Sequence, residues 1–199
     1  MSRQPNLQAR EKILTAAHGL MFKHGFHGVS MESVAEIAGI KKANLFHYYP
    51  TKESLGLAMF DHAIARRQQS VDAMLVDDLS DPLQAVERLF DDASETMAKS
   101  GCAGGCLIGN IAQELSDCNE ALRKRVAAHM QHWTQQWAQY LEKKKKAEYF
   151  RADLDPRTAA IGLLSLFEGA MIFCKANRST VALDNAKSLA RRHFESFRS

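Results

Sequence analysis

Between Val29 and Lys52 the chain reads V-S-M-E-S-V-A-E-I-A-G-I-K-K-A-N-L-F-H-Y-Y-P-T-K, and few folds accommodate that run. Ser30 is placed to cap a helix, because its hydroxyl can take a backbone N–H left without a partner in the first turn. Glu32 follows in that turn, where a negative charge suits the positive end of the helix dipole. Val34, Ala35, Ile37 and Ala38 make an apolar face at helical spacing. Gly39 ends the helix, since glycine enters the left-handed region without a steric penalty. A second helix is expected from about Lys42 to Tyr48, with Leu45 inward and Lys41, Lys42, Asn44 and His47 outward. The pattern predicts a helix-turn-helix whose second helix is basic and rich in hydrogen-bond donors, the kind that enters a DNA major groove. An ordinary corner between two helices, with solvated lysines, gives the same short pattern.

The rest of the chain is consistent with an all-α class. Its 199 residues contain 4 Pro and 11 Gly, with no alternating strand-like run, and the length suffices to bury a substantial core in one or two domains. The formal charge of +3 says little by itself, but its distribution does. Residues 1–60 hold seven Lys/Arg against four Asp/Glu, and residues 61–199 hold nineteen of each. The excess therefore surrounds the helix-turn-helix, where a phosphate backbone would need it. No uninterrupted apolar run reaches the length of a membrane span and no signal peptide precedes the first helix, so a cytoplasmic protein without membrane contact is expected. In that compartment Cys102, Cys106, Cys118 and Cys174 would be reduced thiols.

Residues 1–6 read as a polar arm in which Arg3 could brush phosphate. A first helix is expected from about Leu7 to His24, stopped by Gly25, with Gly28 shaping the connection to Ser30. Thr51 caps a fourth helix that reaches about Leu75, and Lys52 in its first turn opposes the dipole, which suggests another use for that charge. Asp77 to Asp81 forms an acidic break, and Pro82 opens a fifth helix. The stretch S-G-C-A-G-G-C-L-I-G-N, residues 100–110, is glycine-rich but lacks the Gly-Lys-Ser/Thr of a phosphate loop. Further helices are expected around Ile108–Leu115, over about Asn119–Lys146 ending in a solvated lysine cluster, from Asp155-Pro156, and over about Leu183–Phe197. The helix after Pro156 is apolar nearly all round, enough for both a core and a subunit interface.

The stretch A-E-I-A-G-I-K-K-A-N-L-F-H-Y-Y-P-T-K-E-S-L resembles the DNA-binding signature of the TetR family of bacterial transcriptional regulators, and the likeness covers roughly the first 65 residues. It implies an all-α fold: an N-terminal three-helix helix-turn-helix domain (1–52, linking helix 52–76) and a larger helical domain (77–199) for effector binding and dimerisation. It also implies a homodimer in which each subunit presents the helix around Lys42–Tyr48 to one half of a palindromic double-stranded operator. Lys42 and Asn44 are the expected base contacts, since Lys donates to guanine and Asn pairs bidentately with adenine. Ser30, His47, Tyr48 and Lys52 match family positions that touch phosphate and set register. Lys41, Ala43 and Phe46 depart from the family's Ser, Gly and Tyr, and Tyr49 reads as core. The last two helices would form the subunit interface, with Leu163, Leu164, Phe167, Met171 and Phe194 as its expected residues.

Residues 104–117 resemble a TetR subgroup with a Gly-Cys-Leu motif, some of whose members respond to electrophiles or oxidants through the cysteine and others to small organic acids or aldehydes. Cys106 would sit near a helix N-terminus, where a thiolate is stabilised, with Lys175 as a neighbouring charge. Cys102, Cys118 and Cys174 read as small buried hydrophobes, and Cys106 could be another. Cys102/Cys106 with His129/His132 is a weak zinc alternative, and neither a metal nor a cofactor is expected. No nucleophile elbow, HExxH or dinucleotide fingerprint supports an enzyme, and the Glu114/Asp117 pair reads as solvated. The expected function is a one-component regulator, a repressor released by a small molecule or by thiol modification. The alternative is a helical protein-interaction module, for which no internal repeat speaks.

Overall fold

Helical periodicity and local caps account for nearly all of the secondary structure. In the computed structural model, which describes residues 7–75 and 81–199, those residues form nine α-helices and no named strand. They are α1 (Leu7–His24), α2 (Met31–Ala38), α3 (Lys42–Tyr48), α4 (Lys52–Leu75), α5 (Pro82–Lys99), α6 (Leu107–Leu115), α7 (Glu120–Lys146), α8 (Pro156–Asn177) and α9 (Val181–Glu195). The expected arm with Arg3, and the acidic break except for Asp81, lie outside the described residues. Asp81 caps α5 by accepting the Leu83 N–H at 3.0 Å, and Asp155 caps α8 through Arg157 N–H, each followed by a proline that needs no intrahelical partner.

The chain divides into two compact units, Met1–Gln69 with Asn110–Arg125, and Ser70–Gly109 with Val126–Ser199. These are not the divisions expected at 52 and at 76–77, the latter of which falls outside the described residues. The first unit claims part of α6 and the start of α7, a long-range association that no local pattern signals. Its core closes over Ile13, Ala17, Val34, Leu45 and Leu55, all fully buried. Full burial of such a Leu, Ile or Val side chain is worth about 1.5–3 kcal/mol.

The second unit is built around Phe167, to which Phe90 and Trp133 present ring contacts at 5.8 and 5.6 Å. Helix α9 packs on α5 and α8, and two ion pairs join α5 to α9: Arg191 to Glu87 at 2.5 Å and Lys187 to Asp91 at 2.6 Å. Three expectations change here. Leu163, Leu164, Phe167, Met171 and Phe194, assigned to a subunit interface, are all buried within the single chain. Periodicity marks a face as apolar without saying whether its own chain or a partner covers it. The apolar residues left exposed on α8 and α9 are instead Ile161, Ile172, Phe173, Val181 and Leu189. The lysine cluster ending α7 is only partly solvated, because Lys144 is buried beside the Tyr140 ring and Lys145 Nζ donates to Leu154 O at 2.8 Å. Helix α8 does have the length and hydropathy of a membrane span, but eight of its residues are buried in this unit, so its apolar character serves the core.

Candidate nucleic-acid interface

The helix-turn-helix forms from local interactions as the residues dictate. Ser30 Oγ accepts the Ser33 N–H at 3.0 Å, and Ser33 Oγ accepts the Ser30 N–H at 3.2 Å, a reciprocal cap that fixes the start of α2. Gly39 takes φ 66° and ψ 35°, and its N–H and that of Ile40 close the end of α2 on Glu36 O and Ala35 O. Lys41 is extended and leads into α3, where Leu45 is fully buried and Tyr49 nearly so, with Arg10 5.9 Å from the Tyr49 ring centre. Those two anchors turn Lys41, Lys42, Ala43, Asn44, Phe46 and His47 to solvent, with Tyr48 half-buried. Thr51 and Ser54 cap α4 in the same reciprocal manner as Ser30 and Ser33.

Two of the expected contact lysines are engaged. The Lys42 ammonium pairs with the Glu32 carboxylate across the turn, and its Nζ lies 5.7 Å from the Phe46 ring centre. Hydrogen bonding from Lys42 holds the Glu32 carboxyl below its usual range. Lys52 Nζ donates to His27 O at 3.3 Å and lies over the Phe26 ring at 4.8 Å, so the charge that opposes its own helix steadies the turn after α1. Among the described residues the side chains of Lys41 and Asn44 have no partner, which leaves an ammonium and an amide on the same exposed helix edge. The amide can read a base edge and the ammonium can meet a base or a phosphate.

The turn at residues 25–28 is gripped from the opposite side by a residue read in sequence as solvated. Glu114, half-buried at the end of α6, accepts the Phe26 N–H at 2.8 Å through Oε2 and the His27 N–H at 2.7 Å through Oε1. Each backbone donor lies beyond the intrahelical ladder of α1, and the two together match the span of one carboxylate. Gly25 at φ 76° makes the approach feasible, since a Cβ there would stand 2.9 Å from Glu114 Oε2. Gly56 makes room for Phe26 in the same way, a Cβ there meeting the ring at 2.6 Å. The sequence held one sign of this clasp, two backbone donors in a Gly-bounded turn with no local acceptor, but nothing that named Glu114.

The cysteines sort differently from expectation. Cys102, Cys106 and Cys174 are buried, whereas Cys118, read as a buried hydrophobe, is exposed. Cys106 does precede the first residue of α6, and Lys175 is exposed on α8. A Cβ on Gly109 would stand 2.5 Å from Glu168 Oε2 and 3.7 Å from Cys106 Cβ, so an acidic side chain not foreseen from sequence and Cys106 both border Gly109. The Cys174 thiol is pushed above its usual range, chiefly by burial. Among the described residues no group of three His, Cys, Asp or Glu side chains is arranged to hold a metal.

Comparisons with known proteins agree with this geometry. A family profile described as "Bacterial regulatory proteins, tetR family" matches residues 13–59, and one described as "Tetracyclin repressor-like, C-terminal domain" matches residues 82–190. Transcriptional regulator AcuR of Cereibacter sphaeroides is 24% identical over 94% of this chain and 85% of its own length. The HTH-type transcriptional repressor NemR of Escherichia coli K12 is 23% identical over 94% of both. Among solved structures, a regulatory protein TetR from Rhodobacter sphaeroides superposes with a TM-score of 0.87 at 24% identity, covering 94% of this chain and 98% of that one. A cysteine mutant of the TetR family regulator CifR complexed with 26-base-pair operator DNA superposes with a TM-score of 0.83 at 18% identity, covering 96% and 100%. Identities this low show a shared fold, and the two profiles between them span the helix-turn-helix and most of the second unit. The chain belongs to the TetR family of bacterial transcriptional regulators.

Proposed function

We propose that this protein is a cytoplasmic, homodimeric repressor that binds a palindromic operator and leaves it when an effector reaches the second unit. The observation that carries the reading is the edge of α3, where buried Leu45 and Tyr49 lock the helix and Lys41, Lys42, Asn44 and His47 stand exposed. Asn44 is the base reader. Lys42 joins it on exchanging Glu32 for a base, while Lys41, His47, Tyr48, Ser30 and Lys52 serve phosphate and register, and Ala43 and Phe46 shape the helix face. A two-fold dimer needs its two copies of α3 roughly 34–36 Å apart, or a multiple of that spacing. The exposed Ile161, Ile172, Phe173, Val181 and Leu189 of α8 and α9 supply the subunit interface in place of the five buried residues expected from sequence.

The Gly105-Cys106-Leu107 motif supports membership of the thiol-bearing subgroup, with Cys106 immediately before α6 as the effector-sensing residue and Lys175, on α8, as its expected neighbouring charge. Helix α6 runs from that motif to Glu114, so a shift of the helix along its axis moves the carboxylate that holds the turn before α2. An effector that prefers one position of α6 thereby biases the DNA-binding geometry. The test is selection of bound sequences from a randomised duplex pool by the purified protein. Enrichment of a palindrome with half-sites about one helical turn apart is expected. Recovery of no sequence above background at low salt would refute the reading.

A further inference from the structure

Ile37 belongs by periodicity to the apolar face of α2, yet it stands 64% exposed while Val34, Ala35 and Ala38 beside it are buried. A single exposed isoleucine needs no explanation by itself. This one forms a wall of an open groove of about 560 Å³ between α1 and the end of α2. Leu20 lines the same groove, and Gly19 and Gly39 keep its floor low. A Cβ added at either glycine would meet nothing within 4 Å, so the space above both is open. An apolar projection and an open apolar recess therefore lie side by side on the DNA-binding unit. A surface that pairs with itself needs this property, since in a two-fold contact the projection of each copy faces the recess of the other. The rim carries Glu11 and Lys12, one charge of each sign, so two such surfaces meet without net repulsion. Glu11 is held in place by His62 at 2.8 Å.

We infer that this groove joins two dimers of the protein bound side by side on one DNA, with Ile37 of each copy seated in the recess of the other. The inference rests on the reading of the protein as an operator-binding repressor. The groove ends at Gly39, two residues before Lys41 and the exposed edge of α3, so its occupant stands beside the operator. The exposed apolar residues of α8 and α9 serve the two-fold within each dimer, which leaves the groove to a copy from a second dimer. Nine residues line it, where a stable interface uses about 20–30 from each side, so the contact is weak in free solution. It takes effect where DNA holds two dimers within reach and raises their effective concentration. The consequence is cooperative occupation of paired operators, at spacings that bring the two grooves to the same side of the duplex.

The experiment titrates the full-length protein onto duplexes that carry one selected operator, or two whose spacing is lengthened one base pair at a time through a helical turn of about 10.5 base pairs. Expected is a second dimer binding about tenfold more tightly than the first at one phase of the spacing, with that gain gone half a turn away. Ile37→Glu puts a charge into the contact, and Gly19→Leu fills the recess without a clash. Each variant should bind a single operator like wild type and lose the gain. Without DNA, sedimentation near millimolar concentration should show wild-type dimers associating into tetramers, and Ile37→Glu dimers failing to do so. Equal affinity of the two dimers at every spacing, or a gain kept by both variants, would overturn the inference. Repression by RNA polymerase assay that Ile37→Glu relieves while the gain persists would give the groove to the polymerase and overturn it too. A protein that binds no duplex refutes the repressor reading. The DNA-free association then decides the pairing by itself: tetramers abolished by Ile37→Glu uphold it, and their absence in wild type overturns it.

Discussion

Removing one oxygen from Glu114 isolates what the clasp contributes. The carboxylate accepts two backbone N–H groups at 2.8 and 2.7 Å, both in the charge-assisted range. Glu114→Gln keeps one acceptor and turns the other position into an amide donor facing an N–H donor. The change loses the charge and one of the two bonds, and since hydrogen bonds to charged groups are worth about 1.5–3 kcal/mol, a cost of about 2 kcal/mol is expected. The Phe26 side is half-buried and the His27 side exposed, so water relieves the second donor better than the first. At 1.36 kcal/mol per decade, 2 kcal/mol predicts amide exchange at Phe26 and His27 about thirtyfold faster, with exchange inside α8 unchanged. Operator affinity without effector should change little, while the effector-induced loss of affinity should shrink, as the proposed coupling through α6 and Glu114 requires. Residue-resolved hydrogen exchange and a binding titration with and without effector read both quantities. Unchanged exchange at both amides together with an unchanged effector response would refute the clasp as a coupling device.

The other predictions draw on separate parts of the molecule. Asn44→Ala should flatten operator preference across a duplex library with a smaller loss of non-specific binding, and a uniform loss over all sequences would remove Asn44 from base reading. Ile172→Asp or Phe173→Asp should give folded monomers in sedimentation, whereas Leu164→Asp should unfold the chain, since Leu164 is buried in its own core. A folded dimer of the Phe173 variant would argue against that face. Burial, with the hydrogen bond to Asp81 at 2.5 Å, pushes the Tyr149 hydroxyl up to about 12 from 10.0. Because the folded value is the higher, its stabilisation is fully present below pH 10 and is lost as pH rises toward 12, so Tyr149→Phe should flatten the alkaline limb of the stability profile. His18 behaves in the opposite sense. Burial chiefly, aided by Arg66 and His62, lowers it from 6.5, so stability present above that pH should fall as the solution is acidified, and His18→Phe should lessen the loss.

Local physics made the helix-turn-helix legible. Ser30 before an acidic first turn, Gly39 in the left-handed conformation that closes α2, and Leu45 as the single strongly apolar inward position of α3 each act within a few residues, and each stands where the sequence places it. The boundaries of α1 through α5 follow for the same reason, since caps and prolines are read at short range. Tertiary structure alone decided what covers an apolar face and which donors meet which acceptors. The face of α8 that looked ready for a second subunit is filled by its own chain, leaving Ile172 and Phe173 outside. Glu114 finds the Phe26 amide 88 residues away, and Cys118, unremarkable in sequence, comes to rest in the open beside His27. Periodicity records a side chain's direction relative to its own helix axis. The partner at the end of that direction depends on how distant segments pack, and a single sequence carries no spacing that encodes it.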